Sequence, residues 1–146
     1  MIDNRFHNVE DLNLSVCGDV VKKEFDGVNK FCGENGREIM ITLEMFDEVE
    51  MRVGRIIRVY LNKRARKPAY KITVDLGEYG IKNSSAQLTN YEMEELVGKQ
   101  VVCVCNFEPI RIGDVKSEVR ILGSDTEDGC ILLTSLTPVK NGSKIY

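Results

Sequence analysis

The sequence contains no tryptophan, three prolines and a single histidine, His7. With one remote imidazole, a Ser-His or Cys-His nucleophilic device lacks its base and a histidine-rich metal centre lacks its ligands. The five cysteines (Cys17, Cys32, Cys103, Cys105, Cys130) are an odd number, and none stands in a Cys-x-x-Cys pair or at a zinc spacing. A disulfide framework, a structural zinc and thioredoxin-like exchange therefore all lack parts, and free thiols in a reducing cytoplasm fit best. No Gly-x-Gly-x-x-Gly and no Walker loop offers a phosphate cradle. Neither an apolar run of about 18 residues nor a signal-peptide pattern is present, so the sequence supports neither a membrane span nor secretion. The expectation is a protein without catalysis, cofactor or metal.

What the chain has is an uneven charge. The formal net charge is −3, yet residues 1–39 hold five Lys/Arg against eight Asp/Glu, and residues 40–146 hold fifteen of each. Inside the second part, residues 51–74 carry Arg52, Arg55, Arg58, Lys63, Arg64, Arg66, Lys67 and Lys71 with no acid among them. An acidic protein thus contains a neutral domain with a basic pole.

Residues 1–39 mix Asn, Gly and charge without a sustained period of 2 or 3.6, and the texture changes at Met40. Residues 1–44 are read as an N-terminal extension, with Met40 or Met45 a natural start, and residues 45–146 as the folded domain. From Val49 to Leu61 the odd positions are apolar except at Arg55, which reads as a strand that Gly54 lets bend. Tyr70, Ile72, Val74 and Leu76 repeat the alternation, and "DLGEYG" turns the chain into a third strand near residues 79–87. A short helix follows, with Thr89 as the expected N-cap, Glu92 completing a capping box, Leu88 and Met93 as a staple and Gly98 as the stop. "QVVCVCNF" (100–107), "SEVRIL" (117–122) and "CILLTSL" (130–136) supply further strands.

Three strands, one helix, then more strands is the order of an all-β, five-stranded Greek-key barrel of the OB type, with extra C-terminal strand segments. Such barrels bind oligonucleotides on strands 2 and 3 and the loops beside them. SH3-like barrels and split β-α-β folds share much of the pattern.

Several stretches carry a resemblance: "RVGRI" (52–56), "ARKPAYKITVDLG" (65–77), "GIKNSSAQLT" (80–89), "EELVGKQVVCVCNF" (94–107), "RIGDVKSEVRILG" (111–123) and "PVKNGSKIY" (138–146). Together they resemble the CsaA-type tRNA-binding domain, a family related to modules appended to methionyl- and phenylalanyl-tRNA synthetases. The resemblance implies an OB-fold homodimer in the cytoplasm that binds tRNA by shape and backbone, its C-terminal segment contributing to the dimer. The partners it implies are tRNA, a second copy of the chain, and unfolded preproteins (in an export-chaperone role) or an aminoacyl-tRNA synthetase. The chain departs from the family pattern in its N-terminal extension, in Arg64 and Glu108, and in the cysteines of the fourth strand.

The candidate RNA-binding residues fall in four groups. Lys63, Arg64, Arg66, Lys67 and Lys71 lie in and after the loop between the first two strands, where a basic cluster releases counterions from phosphates; the alternative is a solvated loop, here stiffened by Pro68. Ser84, Ser85 and Gln87 end the third strand and serve either sugar and base edges or the turn into the helix. Asn106 and Phe107 end the fourth strand and serve either base reading and stacking or local packing. Arg111, Lys116, Ser117 and Glu118 complete the set, with Lys116 read as a phosphate contact and Glu118 as its organiser. Cys103 and Cys105 read as small apolar packing residues, not as a thiol site.

Overall fold

Tyr70, Ile72, Val74 and Leu76 fall on one face of an extended segment, and all four are buried, Ile72 and Val74 completely. They form the floor of a barrel in the computed structural model, which describes residues 39–146. Leu43–Tyr146 forms one compact unit, and the expectations for residues 1–38 lie outside the described residues. The elements in order are α1 (Leu43–Asp47), β1 (Met51–Leu61), β2 (Tyr70–Asp75), a 3-10 turn (Gly77–Tyr79), β3 (Ile81–Ala86), α2 (Met93–Leu96), β4 (Gln100–Val104), β5 (Ile110–Ile112), β6 (Val115–Ser117), β7 (Arg120–Ile121), β8 (Gly123–Thr126) and β9 (Gly129–Leu132).

The main sheet is antiparallel in the order β3-β2-β1-β4-β7. It curls until its edges meet, because the Glu118 N–H donates to the Asn83 carbonyl at 2.8 Å. Two side chains continue the seam: Glu118 Oε2 accepts from the Asn83 N–H at 3.0 Å, and Ser117 Oγ from the Ser85 N–H at 3.3 Å. The result is the nearly closed five-stranded barrel of the OB type. Its core is Ile56, Ile72, Val74, Leu76, Leu88, Leu96, Val101, Cys103 and Val119, each fully buried aliphatic contributing about 1.5–3 kcal/mol.

β1 does not keep the single face that alternation predicts. Ile56 pairs with Val74 but Arg58 pairs with Thr73, so Ile57 is an extra, bulged residue. The buried set therefore runs Val53, Ile56, Val59, while Val49 and Leu61 are exposed. Gly54 is needed where β1 passes over β2: a methyl at its Cα would overlap Val74 Cγ1 and lie 2.8 Å from Leu76 Cδ2.

The helix starts later than Thr89. Tyr91 N–H first closes a turn onto Leu88 O at 2.9 Å, and the capping box is formed by Glu92 with Glu95. Met93 is exposed and Leu96 is the buried residue of α2. The predicted strand at 117–122 is β6 and β7, one run that changes partner from β5 to β3 to β4. β4 ends at Val104 and not at Phe107: the Cys105 N–H makes a last bond to Glu50 O at 2.8 Å, but the Glu50 N–H goes to the Asn106 side chain at 3.0 Å and the ladder stops there. The last predicted strand stops at Leu132. Residues 142–145 run along the first half of β1: Val53 N–H donates to Ser143 O, and Ile145 N–H to Met51 O, both at 2.9 Å.

Candidate nucleic-acid interface

Loop 62–69 leaves β1 at Asn62, one of the few buried polar residues, at 6% exposure. Its Nδ2 donates to Ser85 Oγ at 3.0 Å and to Ile112 O at 2.9 Å. One amide thus fastens the loop both to the end of β3 and to the β5–β6 hairpin. The hairpin tip completes the fit. Gly113 has φ 60, as the first residue of a two-residue type II′ turn requires, and a Cβ there would lie 2.8 Å from Ala65 N and from Arg64 C. Arg64 Nε meets Asp114 Oδ2 at 3.4 Å across the same contact. Both groups are exposed, so this pair orients the loop and adds little stability.

Lys63, Arg66 and Lys67 are exposed on this fastened loop and make no ion pair among the described residues. Arg111 and Lys116 stand directly opposite each other on the hairpin. Like charges in that register repel by a few tenths to about 1 kcal/mol, a cost that a phosphate between them removes. Loop and hairpin are in contact, and both carry exposed cations. Lys71, half-buried on β2, pairs in register with Ser85.

The acid-free run 51–74 is less uniform than its composition. Arg52 hydrogen-bonds Gly142 O at 2.8 Å, forms an ion pair with Glu50 and stacks on the Tyr79 ring at 3.7 Å. Arg55 donates to Gly98 O at 2.7 Å. These two arginines brace the barrel, whereas Arg58, Lys63, Arg66 and Lys67 are exposed and make no ion pair among the described residues.

Ser84, Ser85, Gln87, Phe107, Ser117 and Glu118 come together around a groove of about 600 Å³ between β3 and the segment 107–121. Ile110, Ile112, Arg120 and Cys130 also line it; none of these was singled out from the sequence, and no spacing marks them. Asn62, which joins groove to loop, carries no pattern either. Asn106 is held elsewhere: its Oδ1 accepts from the Glu50 N–H at 3.0 Å and its Nδ2 donates to Glu48 O at 2.6 Å, clamping the connection from α1 to β1. Lys116 makes no ion pair with Glu118 among the described residues, and the Glu118 carboxylate faces the Asn83 amide at the seam.

Burial, with the neighbouring Cys105 thiol adding to it, pushes the Cys103 thiol up to about 12. Cys105 is also raised, chiefly by burial and against the pull of Arg52. Both stay neutral thiols, the unreactive form. In the native protein near pH 8, iodoacetamide is expected to leave Cys103 unmodified and urea to expose it to labelling, both read by mass spectrometry of the peptide; labelling of Cys103 in the folded protein would contradict its burial. The unfolded thiol ionises near 9.0 and the folded one near 12, so above pH 9 the unfolded state holds fewer protons and stability falls as pH rises towards 12. Among the described residues, no three His, Cys, Asp or Glu side chains converge on a metal-sized site, and no helix is long and apolar enough to cross a membrane.

Residues 51–144 match the model of a family described as a putative tRNA binding domain. The CsaA chaperone protein of Picrophilus torridus is similar in structure, with a TM-score of 0.71 and 45% identity over 73% of this chain and 100% of that one. The CsaA chaperone of Bacillus anthracis strain Ames gives a TM-score of 0.69 and 38% identity, over 74% of this chain and 100% of that one. The methionine–tRNA ligase of Methanococcus vannielii is 36% identical over 107 residues, which cover 73% of this chain but only 16% of the ligase.

Proposed function

The chain belongs to the putative tRNA binding domain family, and from that premise we propose that it binds tRNA, without covalent chemistry, through the cationic face of loop 62–69 and the β5–β6 hairpin. The observation that carries this reading is the fastening of the loop that bears Lys63, Arg66 and Lys67 to the hairpin that bears Arg111 and Lys116, cations without an ion pair among the described residues. Cations fixed in place lose less conformational entropy when they meet phosphates, and each contact releases counterions. The face has no run of stacking aromatics, so recognition rests mainly on the shape and backbone of the RNA. The acting unit in this reading is a cytoplasmic homodimer, in which two such faces engage one tRNA and gain from effective concentration. Exposed Leu133, Leu136 and Val139, on the segment after β9, support an apolar contact between copies. A tRNA synthetase is a further partner consistent with the kinship to a ligase segment.

Likeness to the two CsaA chaperone structures favours a second reading, capture of unfolded preproteins. One experiment separates the two. In filter binding of total tRNA between about 50 and 200 mM salt, the first reading expects affinity to fall steeply on a log-log plot. A flat response, or an unfolded polypeptide that binds and is indifferent to excess tRNA, favours the second.

A further inference from the structure

We propose that the groove between β3 and the segment 107–121 is a site for one unpaired nucleobase of the bound RNA; this rests on the tRNA-binding reading and adds to it a contact that the phosphate face does not provide. Arg111 and Lys116 are cross-strand partners, and so are Ile110 with Ser117 and Ile112 with Val115. Successive residues of a strand point to opposite faces. Ile110, Ile112 and Ser117 line the groove, so Arg111 and Lys116 project from the other side of the hairpin. The cations are on one face and the groove is on the other.

The groove's own charges point the same way. Its lining holds two carboxylates, Glu108 and Glu118, and one cation, Arg120. A phosphate gains nothing by entering, whereas a neutral, flat, partly apolar group does. Phe107, 53% exposed at the groove's rim, offers a ring on which such a group stacks. Ile110, Ile112 and Ile121 supply apolar walls, and the half-buried Ser85 hydroxyl and the exposed Gln87 amide supply donors and acceptors for a base edge. At about 600 Å³ the space admits a purine together with its ribose.

Continuity with the cationic face fixes the occupant. Ser85 lines the groove, and its Oγ is 3.0 Å from the Asn62 amide that starts the basic loop. A nucleotide turned over this edge leaves its flanking phosphates beside Lys63, Arg66 and Lys67. A base held in a Watson–Crick pair cannot make that turn, so the groove selects unpaired positions.

The test uses two RNAs with equal numbers of phosphates, a hairpin with 2-aminopurine in its unpaired loop and a blunt duplex. Binding is measured by anisotropy, together with 2-aminopurine fluorescence. The wild-type protein is expected to prefer the hairpin about tenfold, a value within the range of one base stacked on an aromatic ring, and to quench the fluorophore. Phe107→Ala is expected to abolish both the preference and the quenching while leaving duplex affinity and the salt slope unchanged, and Phe107→Tyr to retain them. Equal wild-type affinity for the two RNAs, or an equal loss on both in Phe107→Ala, overturns the groove assignment alone. Displacement of the quenched base by an unfolded polypeptide while the RNA stays bound overturns it in favour of an extended peptide. Failure of the wild-type protein to bind either RNA overturns the tRNA-binding reading and the groove assignment with it.

Discussion

Replacing Lys63, Arg66 and Lys67 together by alanine is expected to lower tRNA affinity on the order of ten- to a hundredfold at moderate salt. It should also flatten the log-log salt dependence by about 2 to 2.7, since each lost phosphate contact removes roughly 0.7 to 0.9 from the slope. The three residues are exposed and carry no ion pair among the described residues, so their removal leaves the barrel intact. Arg64 is left in place because its contact with Asp114 helps seat the loop on the hairpin. Lys140→Ala is the control. It removes a cation from the segment that borders the opposite end of β1, and it should change neither affinity nor slope. All tRNAs should be weakened alike, because phosphate contacts carry no sequence information. A triple variant with the wild-type slope would remove the loop from the interface.

Leu96→Ala is expected to cost about 2–5 kcal/mol in urea denaturation, the range for deleting a buried leucine whose cavity cannot fully collapse. Leu96 is 0% exposed and is the buried residue of a four-residue helix. A helix that short has no stability of its own. It persists because Leu96 is packed into the core and because the chain just after it bonds to β1, Gly98 N–H to Ile56 O at 2.7 Å and Ile56 N–H to Lys99 O at 2.9 Å. Met93→Ala, on the exposed start of the same helix, should stay within about 0.5 kcal/mol. Equal effects from the two substitutions would mean that the helix does not plug the barrel.

The parts of this molecule that were legible in sequence are those in which one residue's surroundings are set by its near neighbours. Tyr70, Ile72, Val74 and Leu76 announce their strand because an alternating face has one place to go. The order of three strands, a helix and further strands, with the quoted motifs, was enough for the barrel. Legibility failed where a distant partner decides. Nothing near Ile57 announces a bulge, which arises because β1 serves β4 along one half and β2 along the other. Thr89 has the right chemistry for a cap, but the turn closed at Leu88 and the Asn90 side chain's bond to Cys130 O delay the helix to Met93. The helix α1 was not anticipated, since its five residues bury nothing. In the candidate interface, composition exposed the basic loop, but only the fold could assign Arg52 and Arg55 to structure, place Asn106 beside α1 and gather the groove from three separate stretches of chain.

The pairing of residues 142–145 with β1 also sets an order of events in time. Val53 is among the first residues of the barrel to be made, yet both of its main-chain hydrogen bonds go to Gly142 and Ser143. While the ribosome is still adding the intervening ninety or so residues, that half of β1 has an open edge, the kind of surface on which nascent chains pair wrongly. Contacts so distant along the chain form slowly, so that edge of β1 is completed only once residues 142–145 have been made.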